Sequence, residues 1–572
     1  MRGEITMSKK ILIIGGVAGG ASAAARLRRH SETDQIIMFE KCPHVSFSNC
    51  SLPYYLSGTV ANAESLVMMS PQKFLKQFNI DARVNQEVIV INRASKTVSI
   101  LDHQSGKQYE ESYDKLILSP GAKPIVPNIQ GKEQVNLFTV RNVVDITHLK
   151  QSIIDTAPKN IAVIGGGFIG VEVAENLREA GYNVSLIEAM PQIMRTFDYD
   201  MVQILHKELH DHAVELIVGD KVESFATNQI LLGSGRVVNA EVVIMAIGVA
   251  PETNLATAAQ LDLGKTGAIA VDDNCLTNDP DIYAVGDAIE VYGALIQDKF
   301  KLALAGPAQK QARDAADHIN RINNKPRSYI GSSCIKVFDL NAASTGLTEG
   351  LIEFAKLPIE YETVYITPND KVSLMPTNHT MHFKLIYDKN NGRVLGAQAI
   401  GKGNVDKRID VIATAIKFNA TINDLCDLEL CYAPPFGTAK DVVNMAGYVA
   451  SNLNTGKFKQ ITANKVRELV KTNAYVLDVR EEAELARGII KGATNIPLSQ
   501  LRERLAEIPK DRAIYVHCRS GQRSYNATLV LQQHGFNEVY NLAGGFLALS
   551  YYEYYNDITT GRESILTAYN FN

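Results

Sequence analysis

The chain begins with an unbroken apolar run, Ile11–Ile14, then a glycine turn, "GGVAGG" at 15–20, then an alanine-rich stretch that predicts a helix to about His30. An apolar run of this length between turn signals predicts a strand buried on both faces. A second such run, "QIIMFE", ends at Glu40 and completes a strand–turn–helix–strand order. The same order returns in "NIAVIGGGFIGVEVAENLREAGYNVSLIEAM" from Asn160, whose second strand ends at Glu188. Three more apolar runs lead into glycines: "LILSPGAKP" (116–124), "VVIMAIGVAPETN" (242–254) and "DIYAVGDAIE" (281–290). From about 331 to 452 the pattern is strand-rich and then helical near 405–420. The short polar "NTGKF" at 454–458 predicts a linker. Beyond it, "YVLDVR", "ATNIP", "AIYVHC" and "EVYNLAGG" alternate with helical segments, which predicts a small α/β domain with a parallel sheet.

With 572 residues the chain is too long for one core, and several domains are expected. Lys and Arg number 58 against 62 Asp and Glu, a net charge of −4 that gives no reason to expect nucleic acid. No apolar run reaches the roughly 18 residues of a membrane span. The opening "MRGEITMSKK" lacks the apolar core of a secretory signal, so a cytoplasmic location is expected. The seven cysteines, at 42, 50, 275, 334, 426, 431 and 518, are scattered and form no disulfide framework. Any cysteine chemistry should therefore be that of free thiols. No metal site is expected.

The glycines of both turns let the backbone approach a pyrophosphate at a helix N-terminus. In the second copy Gly165, Gly167 and Gly170 have the full G-x-G-x-x-G spacing, with Phe168 and Ile169 opening the helix. Glu188 is placed to hold a ribose, and no arginine follows it directly. That favours NADH over NADPH, with NADPH remaining possible. Gly248 closes a later turn of the same site. In the first copy Val17 takes the place of the middle glycine, with Gly15, Gly16, Ala18 and Gly19 around it and Glu40 and Lys41 ending the next strand. Ser119, Pro120 and Gly121 form an internal turn. Gly286 and Asp287 follow a strand, where a carboxylate suits the ribityl chain of a flavin. Together these features predict two cofactors: FAD in the first fold and a nicotinamide in the second.

These four separated motifs resemble the pyridine-nucleotide-disulfide oxidoreductase family over about residues 8–452. "SFSNCSLPYY" (46–55) is similar to its single-cysteine branch, which includes coenzyme A disulfide reductases. The neighbouring NADH peroxidases and oxidases carry a histidine where this chain has Ala18. The resemblance implies that Cys50 lies against the flavin and forms a mixed disulfide with coenzyme A. A thiolate is required for that attack, and a helix N-terminus or the flavin is expected to lower the thiol pKa. The resemblance also implies coenzyme A contacts from Ser22, Arg26, Arg29, Ser46, Asn49 and Lys440. It implies a homodimer in which Tyr432 reaches the partner's site. Leu374-Met375-Pro376 departs from the Tyr-Tyr-Pro segment common in that branch, which favours a smaller sulfur substrate.

"VHCRSGQRS" (516–524) places Cys518 after a strand and predicts a loop, Arg519–Ser524, before a helix. Successive N–H groups of such a loop make an anion nest. The expected contributors are Arg519, Ser520, Gly521, Gln522, Arg523 and Ser524. With "YVLDVREEAEL", "GATNIP" and "YNLAGGF", the region resembles the rhodanese family, with Asp478 and Arg480 as its structural pair. That resemblance implies a persulfide on Cys518. The expected fold class is α/β: two Rossmann-like dinucleotide-binding domains, an α+β dimerisation domain and a C-terminal rhodanese-like domain. The expected boundaries are 8–120 with 250–330 for FAD, 121–249 for NAD, 331–453 for dimerisation, 454–459 as linker and 460–572 for the rhodanese domain. The implied activity is NADH- and FAD-dependent reduction of a persulfide, polysulfide, coenzyme A persulfide or coenzyme A disulfide. An NADH oxidase or peroxidase, and a sulfurtransferase recycled by the flavin part, stay open as alternatives.

Overall fold

The computed structural model describes residues 8–322 and 324–571. The first seven residues, part of the stretch read above for a secretory signal, lie outside them. The chain forms two compact units. One comprises the residues up to Ala189 together with Gly219–Tyr329, and the other Met190–Val218 with the residues from Ile330 on.

The first unit is built on two parallel sheets. In one, the strands run in the order Ile282–Ala284, Lys115–Leu118, Lys10–Ile14, Gln35–Glu40 and Asp81–Val84. Ile11, Leu12 and Ile13 are fully buried, as an apolar run with helices or loops over both faces requires. The second sheet contains Asn183–Glu188, Asn160–Ile164, Val242–Met245 and Asn136–Phe138 in that order, all parallel. Each glycine turn leads into a helix, Ala18–His30 in the first copy and Phe168–Glu179 in the second. An antiparallel pair, Ala122–Pro124 with Val249–Pro251, marks where the chain enters and leaves the second fold.

In the second unit an antiparallel sheet runs in the order Ser332–Val337, Leu340–Gly346, Val394–Gly401, Met381–Asp388 and Tyr361–Ile366, with the helix Val405–Lys417 packed on it. A parallel sheet follows, in the order Lys459–Ile461, Val539–Leu542, Ile514–His517, Tyr475–Asp478 and Thr494–Asn495. The segment read as a linker is short of free chain. A helix runs to Asn454, and a strand begins at Lys459. Phe458 between them is buried, edge-on to Tyr525 at 5.0 Å. The buried Lys384 ammonium is held by Asp198, Asp200 and Glu349, which ties the helix Tyr199–Asp211 to the antiparallel sheet. Three opposite charges offset the desolvation of one buried lysine.

Candidate active site

The "SFSNCSLPYY" segment is fastened to the first glycine turn. The Ser46 N–H donates to the Gly16 carbonyl at 2.7 Å, and Val45 packs where a side chain at Gly16 would be. Ser46 itself takes a left-handed backbone, φ +49°, which bends the chain toward Cys50. Cys50 then sits in a single tight turn, Asn49–Ser51, ahead of the helix Leu52–Ser57. That helix packs on Phe168–Glu179 of the second fold, with Ser57 Oγ donating to Asn176 Oδ1 at 2.7 Å. One short segment therefore touches both dinucleotide folds.

The protein's own groups do not activate Cys50. Partial burial, then the carboxylates of Glu172 and Asp287, push its thiol above the ordinary range. Cys50 is an exposed residue. The expectation that a helix N-terminus lowers this pKa is thus corrected. Cys42 is half-buried, with its thiol pushed up to about 11 by burial and then by Glu40. Cys275 is buried, Cys426 half-buried, and Cys334 and Cys431 exposed.

Both glycine turns are held by the acid of the following strand. Glu40 Oε2 accepts from the Gly16 N–H at 3.0 Å, and Glu188 Oε2 from the Gly166 N–H at 2.7 Å. Burial pushes the Glu40 carboxyl up. A Cβ on Gly15 would meet the Ser119 carbonyl at 2.0 Å, so the Ser119-Pro120-Gly121 turn packs on the first glycine. Asp287 follows Gly286, and burial raises its carboxyl while Arg141, 3.8 Å away, opposes the shift. Gly248 takes φ +129° at the end of the second fold's strand.

The third glycine of the first copy is Gly20. A Cβ there would lie 1.8 Å from the Gly15 carbonyl, the same distance that separates a Cβ on Gly170 from the Gly165 carbonyl. The spacing Gly15, Val17, Gly20 repeats Gly165, Gly167, Gly170, a signal present in the sequence, although Gly19 and not Gly20 was named above. Gly19 instead faces Ser119 Oγ and Val285.

These features fit the dinucleotides. Neither helix has an acid in its first turn or a side-chain cap, which leaves its first N–H groups open to an anion. An added Cβ at Gly167 meets no atom within 4 Å. Asn49 Oδ1 is buried with no hydrogen-bond partner among the described residues, as expected of a side chain aimed at a ligand.

Arg26 has a partner that the sequence did not reveal. Its Nε pairs with Asp317 at 2.6 Å, a carboxylate that His30 and Arg313 also face. Ser22 is half-buried and Arg29 exposed on the same helix, and Lys41 is exposed. Tyr432, Phe436 and Lys440 are exposed, as is Leu374.

Around Cys518 the nest is formed in part. The sulfur is fully buried and accepts from the Gly521 N–H at 3.2 Å and from Ser524 Oγ at 3.5 Å. The helix starts at Gln522, so Gln522, Arg523 and Ser524 belong to its first turn rather than to the loop. Arg523 is engaged by Glu484 in a bidentate pair at 2.6 and 2.8 Å, which raises its pKa and satisfies its charge. Glu484 was missed in the sequence, although it lies within "YVLDVREEAEL". Asp478 and Arg480 are both buried and pair at 2.6 Å.

The sequence matches the pyridine nucleotide-disulphide oxidoreductase family over residues 9–338, that family's dimerisation domain over 332–442, and the rhodanese-like domain over 462–550. The chain belongs to the pyridine nucleotide-disulphide oxidoreductase family. It is 34% identical over 442 residues to a coenzyme A disulfide reductase of Staphylococcus aureus, covering 77% of this chain and 99% of the relative. A crystal structure of reduced Bacillus anthracis CoADR-RHD superposes with a TM-score of 0.93 at 45% identity, covering 96% of this chain and 99% of that one. An NAD-dependent persulfide reductase from A. fulgidus superposes with a TM-score of 0.89 at 34% identity, covering 94% and 99%. This pyridine nucleotide-disulphide oxidoreductase carries a dimerisation domain and a rhodanese-like domain, and its family uses FAD and NAD(P)H. Among the described residues no helix is long and apolar enough to cross a membrane.

Proposed function

We propose that this oxidoreductase is an NADH- and FAD-dependent reductase of sulfane sulfur or disulfide, with coenzyme A as thiol ligand or product. The observation that carries this reading is the placement of Cys50. It is a lone cysteine on a segment fixed to both dinucleotide folds, in a chain that holds a second sulfur site at Cys518. Relatives named for coenzyme A disulfide and persulfide reduction support the same substrate class.

Gly15, Gly16, Gly20 and Glu40 would hold FAD with Ser119, Gly121 and Asp287. Gly165, Gly167, Gly170 and Glu188 would hold the nicotinamide dinucleotide. Glu188 opposes a 2′-phosphate by charge, which favours NADH. Bound FAD supplies the conversion of a hydride into electrons that sulfur accepts. Cys50 attacks the substrate sulfur and keeps it as a mixed disulfide, with Asn49 Oδ1 free to orient the ligand. Cys518 carries sulfane sulfur against the Gly521 N–H and Ser524 Oγ. Tyr432, on an exposed part of the dimerisation domain, completes the Cys50 site of a second copy, so the active species is a homodimer.

The test is NADH oxidation with coenzyme A disulfide, coenzyme A persulfide, polysulfide and peroxide side by side, for wild type, Cys50→Ser and Cys518→Ser. Cys50→Ser should lose every sulfur substrate. Full activity in that variant overturns the assignment of Cys50. Turnover of peroxide alone would make the protein a peroxidase.

A further inference from the structure

Glu172 lies on the helix Phe168–Glu179, on the side that meets the Cys50 segment. Asn176, one turn further along, takes the Ser57 hydrogen bond and donates from Nδ2 to the Glu172 carbonyl at 2.8 Å. Residues four apart share a helix face, so Glu172 points the same way as Asn176. Of the charged groups that act on Cys50, Glu172 is the strongest, ahead of Asp287.

Among the described residues the Glu172 carboxyl has no cation beside it. The neighbouring cations are engaged elsewhere. Lys150 donates to the Tyr55 carbonyl at 2.6 Å and covers the Tyr55 ring. Arg141 faces Asp287, and Arg178 donates to the Tyr182 carbonyl at 3.0 Å. The one charge acting on Glu172 is Glu175, of like sign. A half-buried carboxyl on the helix face that packs on the Cys50 segment, with no counter-ion, is better suited to carrying a proton than to holding structure.

We infer that Glu172 is the proton carrier of sulfur exchange at Cys50, taking the thiol proton as that sulfur attacks and returning it to the sulfur that leaves. The inference rests on the reductase reading above, which makes Cys50 the attacking sulfur. Each step balances. The Cys50 S–H proton passes to the Glu172 carboxylate. The thiolate attacks R–S–S–R′, the Cys50–S–R bond forms, the S–S bond breaks, and R′–S⁻ leaves with the electron pair. R′–S⁻ then takes the proton from Glu172 and departs as R′–SH, with the carboxylate restored. The exchange needs no external oxidant or reductant.

Burial and Glu175 push the Glu172 carboxyl up to about 7, so it holds a proton part of the time at neutral pH, as a proton carrier must. Taking the proton also removes the negative charge that opposes a Cys50 thiolate. The two groups therefore titrate as a pair.

The decisive experiment compares wild type, Glu172→Gln and Glu172→Asp as dithiothreitol-treated holoprotein, at equal flavin content. Iodoacetamide labelling of Cys50 is followed by peptide mass spectrometry from pH 5 to 10, and disulfide turnover over the same range. Glu172→Gln should label faster at pH 7, by about tenfold, because the opposing charge is gone. Its turnover should fall by about a hundredfold, because the proton has no carrier. Glu172→Asp should recover part of the turnover. A purely structural role would slow labelling and turnover together, and that result overturns the inference. Unchanged labelling in Glu172→Gln overturns it as well, as does unchanged turnover. If wild type reduces no disulfide or persulfide, the reductase reading falls and takes the leaving-group step with it. The labelling then still decides, by the same criterion, whether Glu172 and Cys50 exchange a proton.

Discussion

The middle and last glycines of the second turn, Gly167 and Gly170, respond differently to one substitution. Gly167 has φ −80°, and an added Cβ meets no atom within 4 Å. Alanine therefore fits, but Gly167 is the N-cap, where alanine is less favourable than glycine, which offsets the gain of about 0.4–1 kcal/mol from a narrower unfolded chain and leaves stability little changed. Gly170 is the third residue of its helix, and a Cβ there comes to 1.8 Å from the Gly165 carbonyl. Helix propensity favours alanine by about 1 kcal/mol. Overpacking against backbone costs about 1–3 kcal/mol or more, so the overlap wins. Gly170→Ala should lower stability by up to about 2 kcal/mol in net terms. Function separates the two differently. The empty volume at Gly167 is where the backbone must approach a pyrophosphate. A methyl there holds the anion away from the first N–H groups of the helix, and hydrogen bonds to charged groups contribute about 1.5–3 kcal/mol. NADH should bind Gly167→Ala about ten- to a hundredfold more weakly, since each factor of ten is about 1.4 kcal/mol. The assay is anaerobic stopped-flow reduction of the bound flavin at varied NADH, beside thermal unfolding of both variants. An unchanged NADH affinity in Gly167→Ala refutes the assignment of this fold to the nicotinamide. Equal unfolding losses in the two variants refute the steric account.

The first copy gives the parallel case: Gly20→Ala should be purified with much less FAD, read from the flavin-to-protein absorbance ratio, and full occupancy would deny its role as the third glycine. Asp478→Ala strands the buried Arg480 guanidinium and should destabilise the protein by about 3–5 kcal/mol, whereas adding Arg480→Met should recover most of that loss. Calorimetry of the single and double variants checks this. Burial holds His206 and His382 down at about 3 and His517 at about 4. The unfolded chain, with histidines near 6.5, then binds more protons than the folded one across the interval between. Stability is full above about pH 6.5 and falls as pH drops toward these folded values, by about 1.4 kcal/mol per histidine per pH unit. The thermal midpoint at pH 5 should therefore lie below that at pH 7.5, and a flat profile would contradict it.

The sequence made the repeated element order legible because burial on both faces forces continuous apolar runs, and those runs end at glycines. It also located Cys50 and Cys518. It could not supply the tertiary partners. Glu484 meets Arg523 across 39 positions, and Asp317 meets Arg26 across 291, so local spacing carries neither pair. Glu172 is the clearest case. In the sequence it is one acid on the exposed-looking face of a helix. Only the packing of that helix on Leu52–Ser57 brings its charge to Cys50. Gly20 was readable from spacing alone, and the adjacent Gly19 obscured it.

A tether at 454–459 would allow the C-terminal part to swing, but the contacts within the second unit oppose this. Gln460 Nε2 donates to the Thr363 carbonyl at 2.7 Å, at the edge strand of the antiparallel sheet. Gly544, beside the Cys518 loop, lies against the Tyr365 ring, and no larger residue would fit there. Thr367 Oγ1 is within 3.5 Å of the Ser520 carbonyl, so the loop itself borders that sheet. From the other side, the Phe546 N–H donates to the Cys518 carbonyl at 2.8 Å and the Leu547 N–H to the Arg519 carbonyl at 3.0 Å. A swing about 454–459 would have to expose Phe458 as well, at about 1.5–3 kcal/mol for one large apolar side chain. Each hydrogen bond lost adds about 0.5–1.5 kcal/mol. These losses make an open state a minor one. Delivery of sulfur to or from Cys518 is therefore better served by a thiol that diffuses to the loop than by movement of the loop. Disulfide-locking Gln460 to Thr363 as a cysteine pair should then leave sulfur transfer from a soluble persulfide intact. Loss of that transfer in the locked protein, with recovery on reduction, would show that the swing is required.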